Sequence, residues 1–385
     1  MRFVFVPSED APYDWRMVRG LSQAIEASGH DVRLIPPIEY TRDNLAWGDV
    51  VFDINRARPG WLPENIAHIV WVQDFRPGTI PLYGERKRGN DLTYVLADPD
   101  ALGLSRPKVD GVLLTGINPK LLAEPQKYKP IIDISMCGYI PEPLEMAVYP
   151  GYRWPGQDSF GVYCHKEMER MYVPLTGHLK GNDFFEPLAN AFRETLSQAY
   201  GADVVQEEWE KVVRSLGYWI IDQPRRLDRI KLAQLSLEVT KNCLFMGNNW
   251  KRYPEFAKFA ASHTQNEGHL LRTYAESKIN LHTNSHGFGI HSRVLEAMSV
   301  GGFIMTHTVV DTTRTGRMAE YFEPDKHFGE FTPENFTERA RFWLENDAAR
   351  QQAIVEAKKI IVAKHLWKHR AAQILHDLGL KGVLP

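Results

Sequence analysis

The sequence has few cysteines and no long apolar run. Its 385 residues include three cysteines, at positions 137, 164 and 243. None forms a CxxC pair, so we expect neither a zinc site nor a disulfide framework, and a reducing cytoplasm fits best. No apolar stretch approaches the roughly 20 residues that cross a bilayer. The first residues lack a basic segment followed by a long apolar run, so no signal peptide is predicted.

An excess of charge of one sign is also missing. Lys and Arg number 46 against 48 Asp and Glu, for a net charge of -2. This balance provides no general attraction to nucleic acid, which we do not expect as a partner. The length indicates about two domains. We therefore expect a cytoplasmic protein without a transmembrane segment. Peripheral docking on a membrane surface and the oligomeric state are left open.

Short apolar runs alternate with helical periodicity through the first third of the chain. MRFVFVP, DVVFDI and HIVWVQDF are examples of these runs. Strands that are apolar on both faces are typical of parallel sheets covered by helices. The alternation predicts an α/β domain of the Rossmann-like, doubly wound type, whose working loops follow the carboxyl ends of the strands.

The pattern restarts after a polar, proline-bearing segment, EPQKYKP, which we interpret as a linker. We expect an N-terminal Rossmann-like domain at 1–125 and a second one at 126–345. A helical insertion without a clear strand is predicted at about 166–240. The last segment, 346–385, is almost entirely helical in pattern. Substrates would bind in the cleft between the domains, where strand ends converge.

The stretch NSHGFGIHSRVLEAMSVGG, at 284–302, joins a predicted strand to a predicted helix. Free backbone N–H groups and the positive end of the helix dipole meet there, which suits a diphosphate. Gly287 and Gly289 allow close backbone approach. Arg293 adds a cation, and the Glu296 carboxylate can accept from a ribose diol. A surface ion pair and a dipole partner are the plainer alternatives.

The stretch from about 241 to 375 resembles the C-terminal domain of GT-B glycosyltransferases. It looks most like the broad family 1/4 group, including the spore-maturation-type branch. The matching pieces come in order: CLFMGNNW, HLLRTYAESKINLHTN, SRVLEAMSVGGFIMTH, EYFEPDKHFGEF and HLWKHRAAQIL. The resemblance implies two Rossmann-like domains facing across a cleft, with helices from about 346 crossing back to the first domain. It also implies that Glu296 holds the ribose and that Arg293 steadies the diphosphate.

One position departs from the family pattern. Many retaining members carry two glutamates eight residues apart, and the residue eight before Glu296 is Phe288. The stereochemical course therefore stays open between retention and inversion.

Other loops at predicted strand ends complete the expected donor site. Gly138 and Tyr139 follow the strand IDISMC, and a second loop follows CLFM, where Trp250 would either stack on a nucleobase or pack structurally. The histidines at 282, 286 and 291 fit no standard metal spacing, so we predict no metal site and expect one of them to contact the diphosphate instead. The expected donor-binding residues are Gly138, Tyr139, Gly247, Asn248, Asn249, Trp250, His286, Gly287, Phe288, Gly289, His291, Ser292, Arg293 and Glu296.

Three carboxylates are candidates for the catalytic base. Asp74 ends the predicted strand HIVWVQDF, and Glu9 and Asp10 lie in the loop after the first strand. Each would face the cleft and accept the proton of an acceptor hydroxyl. Capping of the next turn and simple solvation are the alternatives. The string Gln223–Arg226 in the insertion either docks an anionic acceptor or a membrane surface, or is a plain exposed loop.

These patterns lead to a glycosyltransferase hypothesis. The enzyme would move a sugar from a nucleotide-diphosphate sugar to a hydroxyl of a glycan, a lipid-linked or another acceptor, in glycan or glycoconjugate synthesis. No cofactor and no metal are expected, because the helix and Arg293 would stabilise the leaving diphosphate. A GT-B-like sugar-nucleotide epimerase and a non-catalytic nucleotide-sugar-binding module are the alternatives.

Overall fold

The computed structural model describes residues 1–73, 87–96, 109–123, 128–141, 172–175, 178–179, 194, 197–198, 201–264, 266–283, 290–308 and 318–383. At 178–179 and 204–222 the description is restricted to the backbone. All statements below concern these residues.

The first domain is built on a six-stranded parallel sheet. Its strands are β1 Arg2–Val6, β2 Asp31–Leu34, β3 Val50–Ile54, β4 Ala67–Val72, β5 Leu92–Val95 and β6 Gly111–Val112, in the order β2-β1-β3-β4-β5-β6. Every residue of β3, β4 and β5 is buried. This burial on both faces explains why the strands are continuous apolar runs rather than alternating ones. Helices α1 Pro12–Ala27 and α2 Arg42–Leu45 belong to this domain.

The second domain contains another six-stranded parallel sheet. It consists of β7 Ile132–Cys137, β10 Cys243–Met246, β11 Ala260–Ala261, β12 Ser277–His282, β13 Ile304–His307 and β14 Gly329–Phe331, in the order β11-β10-β7-β12-β13-β14. The chain runs outward from β7 through β10 to β11 and then returns to β12 on the other side of β7. This reversal opens a crevice beyond the carboxyl ends of β7 and β12, where ligands bind in such sheets.

The described part of the predicted insertion consists mostly of one helix, α4 Ala202–Val239. Helix α3, Lys120–Ala123, precedes it. The described part of the insertion also contains a short antiparallel pair, β8 Tyr172–Val173 and β9 His178–Leu179, which the sequence pattern did not reveal. The fully buried Asp228 of α4 accepts hydrogen bonds from the Tyr172 hydroxyl and from the backbone N–H of Leu175. The string Gln223–Arg226 lies inside α4 rather than in an exposed loop, and Gln223 and Arg226 are buried there.

The last helix packs against the first domain. The remaining helices are α5 Pro254–Ala257, α6 Glu267–Ala275, α7 Ser292–Ser299, α8 Met318–Tyr321, α9 Phe336–Glu345, α10 Asp347–Lys364 and α11 Trp367–Leu380. The Trp367 ring of α11 meets Trp71 of β4 edge-on at 6.4 Å between centroids. The Tyr94 hydroxyl of β5 donates to Asp377 Oδ2 at 2.6 Å. The chain thus crosses from the second domain back to the first.

Candidate functional site

Helix α7 begins at the carboxyl end of the second sheet. His291 caps the helix, and its Nδ1 accepts a hydrogen bond from the backbone N–H of Arg293 at 3.2 Å. Seven of the eight helical residues, Arg293 being the exception, are buried. The expected ligand contacts His286, Gly287, Phe288 and Gly289, and the base candidate Asp74, lie outside the described residues.

Two arginine side chains meet above the turn that follows β7. A Cβ atom built on Gly138 would lie 3.0 Å from Arg229 Cζ and 3.0 Å from Arg293 Nη1. Both guanidinium groups thus crowd the space that a larger side chain at this position would need. Arg293 comes from α7 and Arg229 from α4, so two distant segments deliver positive charge to one glycine turn.

A third arginine joins this cluster from one turn earlier in α4. Arg225 Nη1 donates to the Tyr139 hydroxyl at 2.8 Å, and Arg229 Nη1 donates to the Tyr139 carbonyl. Both guanidinium groups also lie over the Tyr139 ring. We refer to Arg225, Arg229 and Arg293 as the arginine cluster. Our sequence reasoning missed Arg229; the available signal was its i, i+4 spacing from Arg225 on one helix face.

Two buried histidines lie beside the arginine cluster. His282 ends β12, and its ring centroid lies 6.1 Å from that of His291. Burial, followed by the charge of Arg293, lowers the pKa of both histidines well below its ordinary value, so both are neutral. Among the described residues, His282 Nδ1 is buried without a hydrogen-bond partner. A neutral imidazole N–H can donate to an anion, so this unpaired atom and the cluster together suit a phosphate group.

One turn further along α7, the Glu296 carboxylate is 4% exposed and is paired across the domains. Arg16 Nη2 of α1 lies 2.9 Å from Glu296 Oε1, and Arg16 Nη1 lies 3.3 Å from Glu267 Oε1 of α6. Burial raises the pKa of the Glu296 carboxyl, while Arg16 lowers it. The Tyr13 hydroxyl donates to Ser292 Oγ at 3.3 Å, and burial raises the pKa of Tyr13 to about 12.

A cavity of about 1070 Å³ lies between the two domains beside these residues. Its wall includes Asp10, Tyr13 and Arg16 from the first domain, and Asn266, Glu267 and Glu296 from the second. This volume is sufficient for a nucleotide-sized ligand. Glu296, the expected ribose acceptor, thus borders a space that could hold a nucleoside.

The loop after β10 supports the glycine turn at residue 138 from below. The fully buried Trp250 stacks on Phe245 and donates from Nε1 to the Gly138 carbonyl at 2.7 Å. Asn249 Nδ2 donates to the Ile140 carbonyl at 2.7 Å, and the Asn248 carbonyl accepts from the Ile140 N–H. Trp250 therefore has structural packing contacts, the second of the two roles considered for it.

Gly247 belongs to the same supporting contact. Its φ is +148°, and a Cβ atom there would lie 2.4 Å from the Gly138 carbonyl oxygen. The missing side chain of Gly247 is therefore needed to let two protein loops pack together.

The two described base candidates differ in position. Asp10 borders the cavity and accepts a hydrogen bond from Trp15 Nε1 at 2.5 Å. Glu9 is exposed, as Asp10 is, but it does not line the cavity; its backbone N–H donates to Asp14. Of these two, Asp10 is better placed to reach a ligand in the cavity.

In the described parts of the chain, no group of three or more His, Cys, Asp or Glu side chains could hold a metal ion. Within the same residues, no helix has the length and apolar character needed to cross a membrane.

Two parallel-sheet Rossmann-like domains, with a cavity between them and a returning last helix, define the GT-B fold. A glycosyltransferase from Rickettsia africae ESF-5 superposes with a TM-score of 0.51 at 9% identity, covering 99% of this chain and 98% of that one. HepE of Anabaena, solved in complex with UDP-glucose, gives a TM-score of 0.51 at 8% identity, with coverages of 98% and 99%. An α-glucosyltransferase solved with UDP and a 13-mer DNA containing an HMU base gives 0.50 at 9% identity, with coverages of 98% and 99%. The predicted fold class is confirmed.

The sequence itself matches a family over part of its length. Residues 219–376 match the profile of the family described as Glycosyl transferase-like. The matched segment starts within α4, ends within α11 and contains Arg225, Arg229, Arg293 and Glu296. This part of the chain is therefore similar to glycosyltransferase-like domains. A search of the curated proteins finds no match.

Proposed function

We propose that the protein is a glycosyltransferase that moves a sugar from a nucleotide-diphosphate sugar to an acceptor hydroxyl. The observation that carries this proposal is the meeting of Arg229 and Arg293 at Gly138, one helical turn from the buried Glu296. A nucleoside diphosphate matches this arrangement, since it presents two anionic phosphates and a ribose diol a short distance apart. The glycosyltransferase-like domain at 219–376 and the UDP and UDP-glucose complexes of proteins with the same fold also support it.

In this proposal the diphosphate binds at the amino end of α7, against the arginine cluster and the histidines at 282 and 291. Glu296 accepts hydrogen bonds from the ribose hydroxyls. The nucleoside extends into the interdomain cavity. The residues at 286–289 would add backbone contacts, as the sequence pattern suggests.

Transfer breaks the bond between the sugar's anomeric carbon and the diphosphate oxygen, and the electron pair leaves with the diphosphate. The acceptor oxygen forms the new bond to the anomeric carbon, and its proton passes to a base. Positive groups fixed around the leaving oxygens stabilise this charge without reorganising, which is why the arginine cluster would lower the barrier. This charge would come from the chain itself, so we propose a reaction that needs no metal.

We assign the base to a carboxylate on the first domain. Asp10 is the better placed of the described candidates because it borders the cavity, and Asp74 and Glu9 remain predictions. The acceptor would be a hydroxyl of a glycan, a lipid-linked or another molecule bound on the first-domain side. We further infer membership of the family 1/4 group. Its spore-maturation-type branch is supported by the Phe288 that replaces the first glutamate.

The first experiment identifies the nucleotide. A thermal-shift screen against UDP, GDP, dTDP and CMP sugar conjugates should raise the melting temperature for one base. A ligand present at 100 times its Kd stabilises the folded state by about 2.7 kcal/mol. No stabilisation by any conjugate would contradict the proposal.

The second experiment tests the ribose contact. Glu296→Gln keeps the shape of the side chain but removes a charged acceptor, whose hydrogen bonds contribute about 1.5–3 kcal/mol. We expect a loss of roughly 10- to 100-fold in affinity for the selected nucleoside diphosphate, measured by calorimetry. Glu338→Gln, at an exposed first-turn glutamate of α9, is the matched control and should bind normally. Unchanged binding by Glu296→Gln would exclude the ribose role.

Turnover assays separate transfer from its alternatives. A glycosyltransferase requires an acceptor and should keep its rate in excess EDTA. Conversion of the donor alone would indicate an epimerase. Nucleotide binding without turnover over a broad acceptor panel would indicate a binding module.

A further inference from the structure

Arg16 connects the first domain to the carboxylate that the proposed function assigns to the ribose. It lies on α1, yet its guanidinium group pairs with Glu296 on α7 and with Glu267 on α6. Its exposed side-chain fraction is 23%, and its Nε is buried without a partner among the described residues. One guanidinium group thus bridges two carboxylates of the opposite domain at the edge of the interdomain cavity.

A neighbouring residue on α1, Tyr13, takes part in the same interdomain contact. The Arg16 guanidinium carbon lies 5.4 Å from the centroid of the Tyr13 ring, and the Tyr13 hydroxyl donates to Ser292 Oγ. Residues three apart on a helix lie on the same face, so Tyr13 and Arg16 present a common surface to α7. The pairing of Arg16 with Glu296 is therefore part of a packed interdomain contact, unlike an ion pair between two free surface side chains.

The surroundings of Glu296 act on the pKa of its carboxyl in opposite directions. A carboxyl that is nearly fully buried favours its neutral form, and the second carboxylate, Glu267, acts in the same direction. Arg16 opposes both effects. A neutral carboxyl would be a weaker partner for ribose hydroxyls, because charge-assisted hydrogen bonds are about twice as strong as neutral ones.

We propose that Arg16 is a positioning residue for the donor: it holds Glu296 ionised and fixed through Oε1, and thereby couples nucleotide binding to contact between the two domains. This inference rests on the proposed function. Arg16 contacts Oε1, and we assign the other carboxylate oxygen, Oε2, to the ribose. Arg16 has no assigned part in the transfer step itself.

Removal of Arg16 should change the pH dependence of nucleotide binding in one direction. Removal of Arg16 leaves burial and Glu267 opposed by Arg293 alone, so the pKa of Glu296 should rise further. Nucleotide binding that needs the carboxylate should then be lost at a higher pH as the solution is acidified. The groups that face Glu296 are Arg16 and the phenol of Tyr13 on α1, Glu267 and the phenol of Tyr274 on α6, and Arg293 on α7.

The first test needs no ligand. Protein labelled with ¹³C at the glutamate carboxyls is titrated by NMR, and the Glu296 signal is identified by its loss in Glu296→Gln. An opposite charge beside a carboxylate lowers the pKa of that carboxyl, so Arg16→Gln should raise the pKa of Glu296. Arg16→Lys keeps the positive charge, so the pKa of Glu296 in this variant should lie closer to its wild-type value than in Arg16→Gln. Arg33→Gln is the control, because Arg33 stacks on Trp47 from the exposed edge strand β2.

The second test measures affinity for the nucleoside diphosphate among UDP, GDP and dTDP that the wild-type protein binds. Because a charge-assisted hydrogen bond is about twice as strong as a neutral one, we expect Arg16→Gln to weaken binding about tenfold at pH 7 and to move the midpoint of the pH dependence upward. Arg16→Lys should bind better than Arg16→Gln. Equal melting temperatures of the two variants would show that the difference is not a folding defect.

The outcomes separate the two proposals. If the wild-type protein binds a nucleoside diphosphate but Arg16→Gln has the same affinity, pH profile and Glu296 titration, the role of Arg16 is overturned and the proposed function stands. If the wild-type protein binds none of the three probes, the proposed function fails, and the role of Arg16 toward a donor fails with it. The carboxyl titration would then still show whether Arg16 keeps Glu296 ionised.

Discussion

Replacement of Gly247 by alanine should disturb the donor site from beneath it. The new methyl group would lie 2.4 Å from the Gly138 carbonyl oxygen and 2.8 Å from the Tyr139 backbone nitrogen. Since ordinary van der Waals contact begins near 3.4 Å, one of the two loops would have to move by about 1 Å. The φ of +148° is also unfavourable for any residue with a side chain.

Both effects have known orders of magnitude. A strained backbone conformation costs about 1–3 kcal/mol. Insertion of a methyl group into a packed contact costs about 1–3 kcal/mol. We therefore expect Gly247→Ala to lower the free energy of unfolding by about 2–6 kcal/mol. Even the lower value lowers Tm by roughly 4–8 °C for a domain of this size.

Differential scanning calorimetry of the unliganded protein measures this loss. Gly379→Ala is the matched control, because Gly379 lies within α11 and nothing lies within 4 Å of its added methyl group. Helix propensity favours alanine there by about 0.5–1 kcal/mol, so the control should melt at the same temperature or slightly higher. If Gly247→Ala melted with the wild-type protein, the close packing of the two loops would be refuted.

Two further predictions concern single hydrogen-bonding groups. Trp250→Phe keeps an aromatic ring against Phe245 but leaves the Gly138 carbonyl without its donor. Urea denaturation should show that the free energy of unfolding falls by about 1–3 kcal/mol, and a fall below about 0.5 kcal/mol would contradict the hydrogen bond from Trp250 to Gly138. Asp110 is partly buried, which raises the pKa of its carboxyl, but Lys87, the Thr93 N–H and Lys381 together bring that pKa below its ordinary value of 3.8. A carboxyl whose pKa is lowered on folding stabilises the protein above pH 3.8, and this stabilisation is lost as the pH falls through the folded-state pKa. Asp110→Asn should therefore have a smaller free energy of unfolding than the wild-type protein at pH 7, and the two values should converge in acid. A constant difference across that range would contradict this account.

The sequence was informative where the physics is local. Continuous apolar runs predicted parallel sheets covered on both faces, and the fully buried β3, β4 and β5 confirm this for the first domain. Arg293 and Glu296 belong to one short helix, so their spacing alone put a cation and a carboxylate one turn apart. The short strands β8 and β9 escaped prediction because two residues carry almost no periodicity.

The sequence by itself thus determined the α/β class, the two-domain organisation of the GT-B fold, and the helix that carries Arg293 and Glu296. Only the tertiary structure decided which residues surround that helix. Arg229 is 64 residues from Arg293 in the sequence, and Arg16 is 280 residues from Glu296, yet each meets its partner at the site. Periodicity reports which face of an element is buried, whereas a contact between distant segments depends on how the sheets and helices pack. For the same reason the glycine at 247, predicted as a ligand contact, was found packed against the 138 loop.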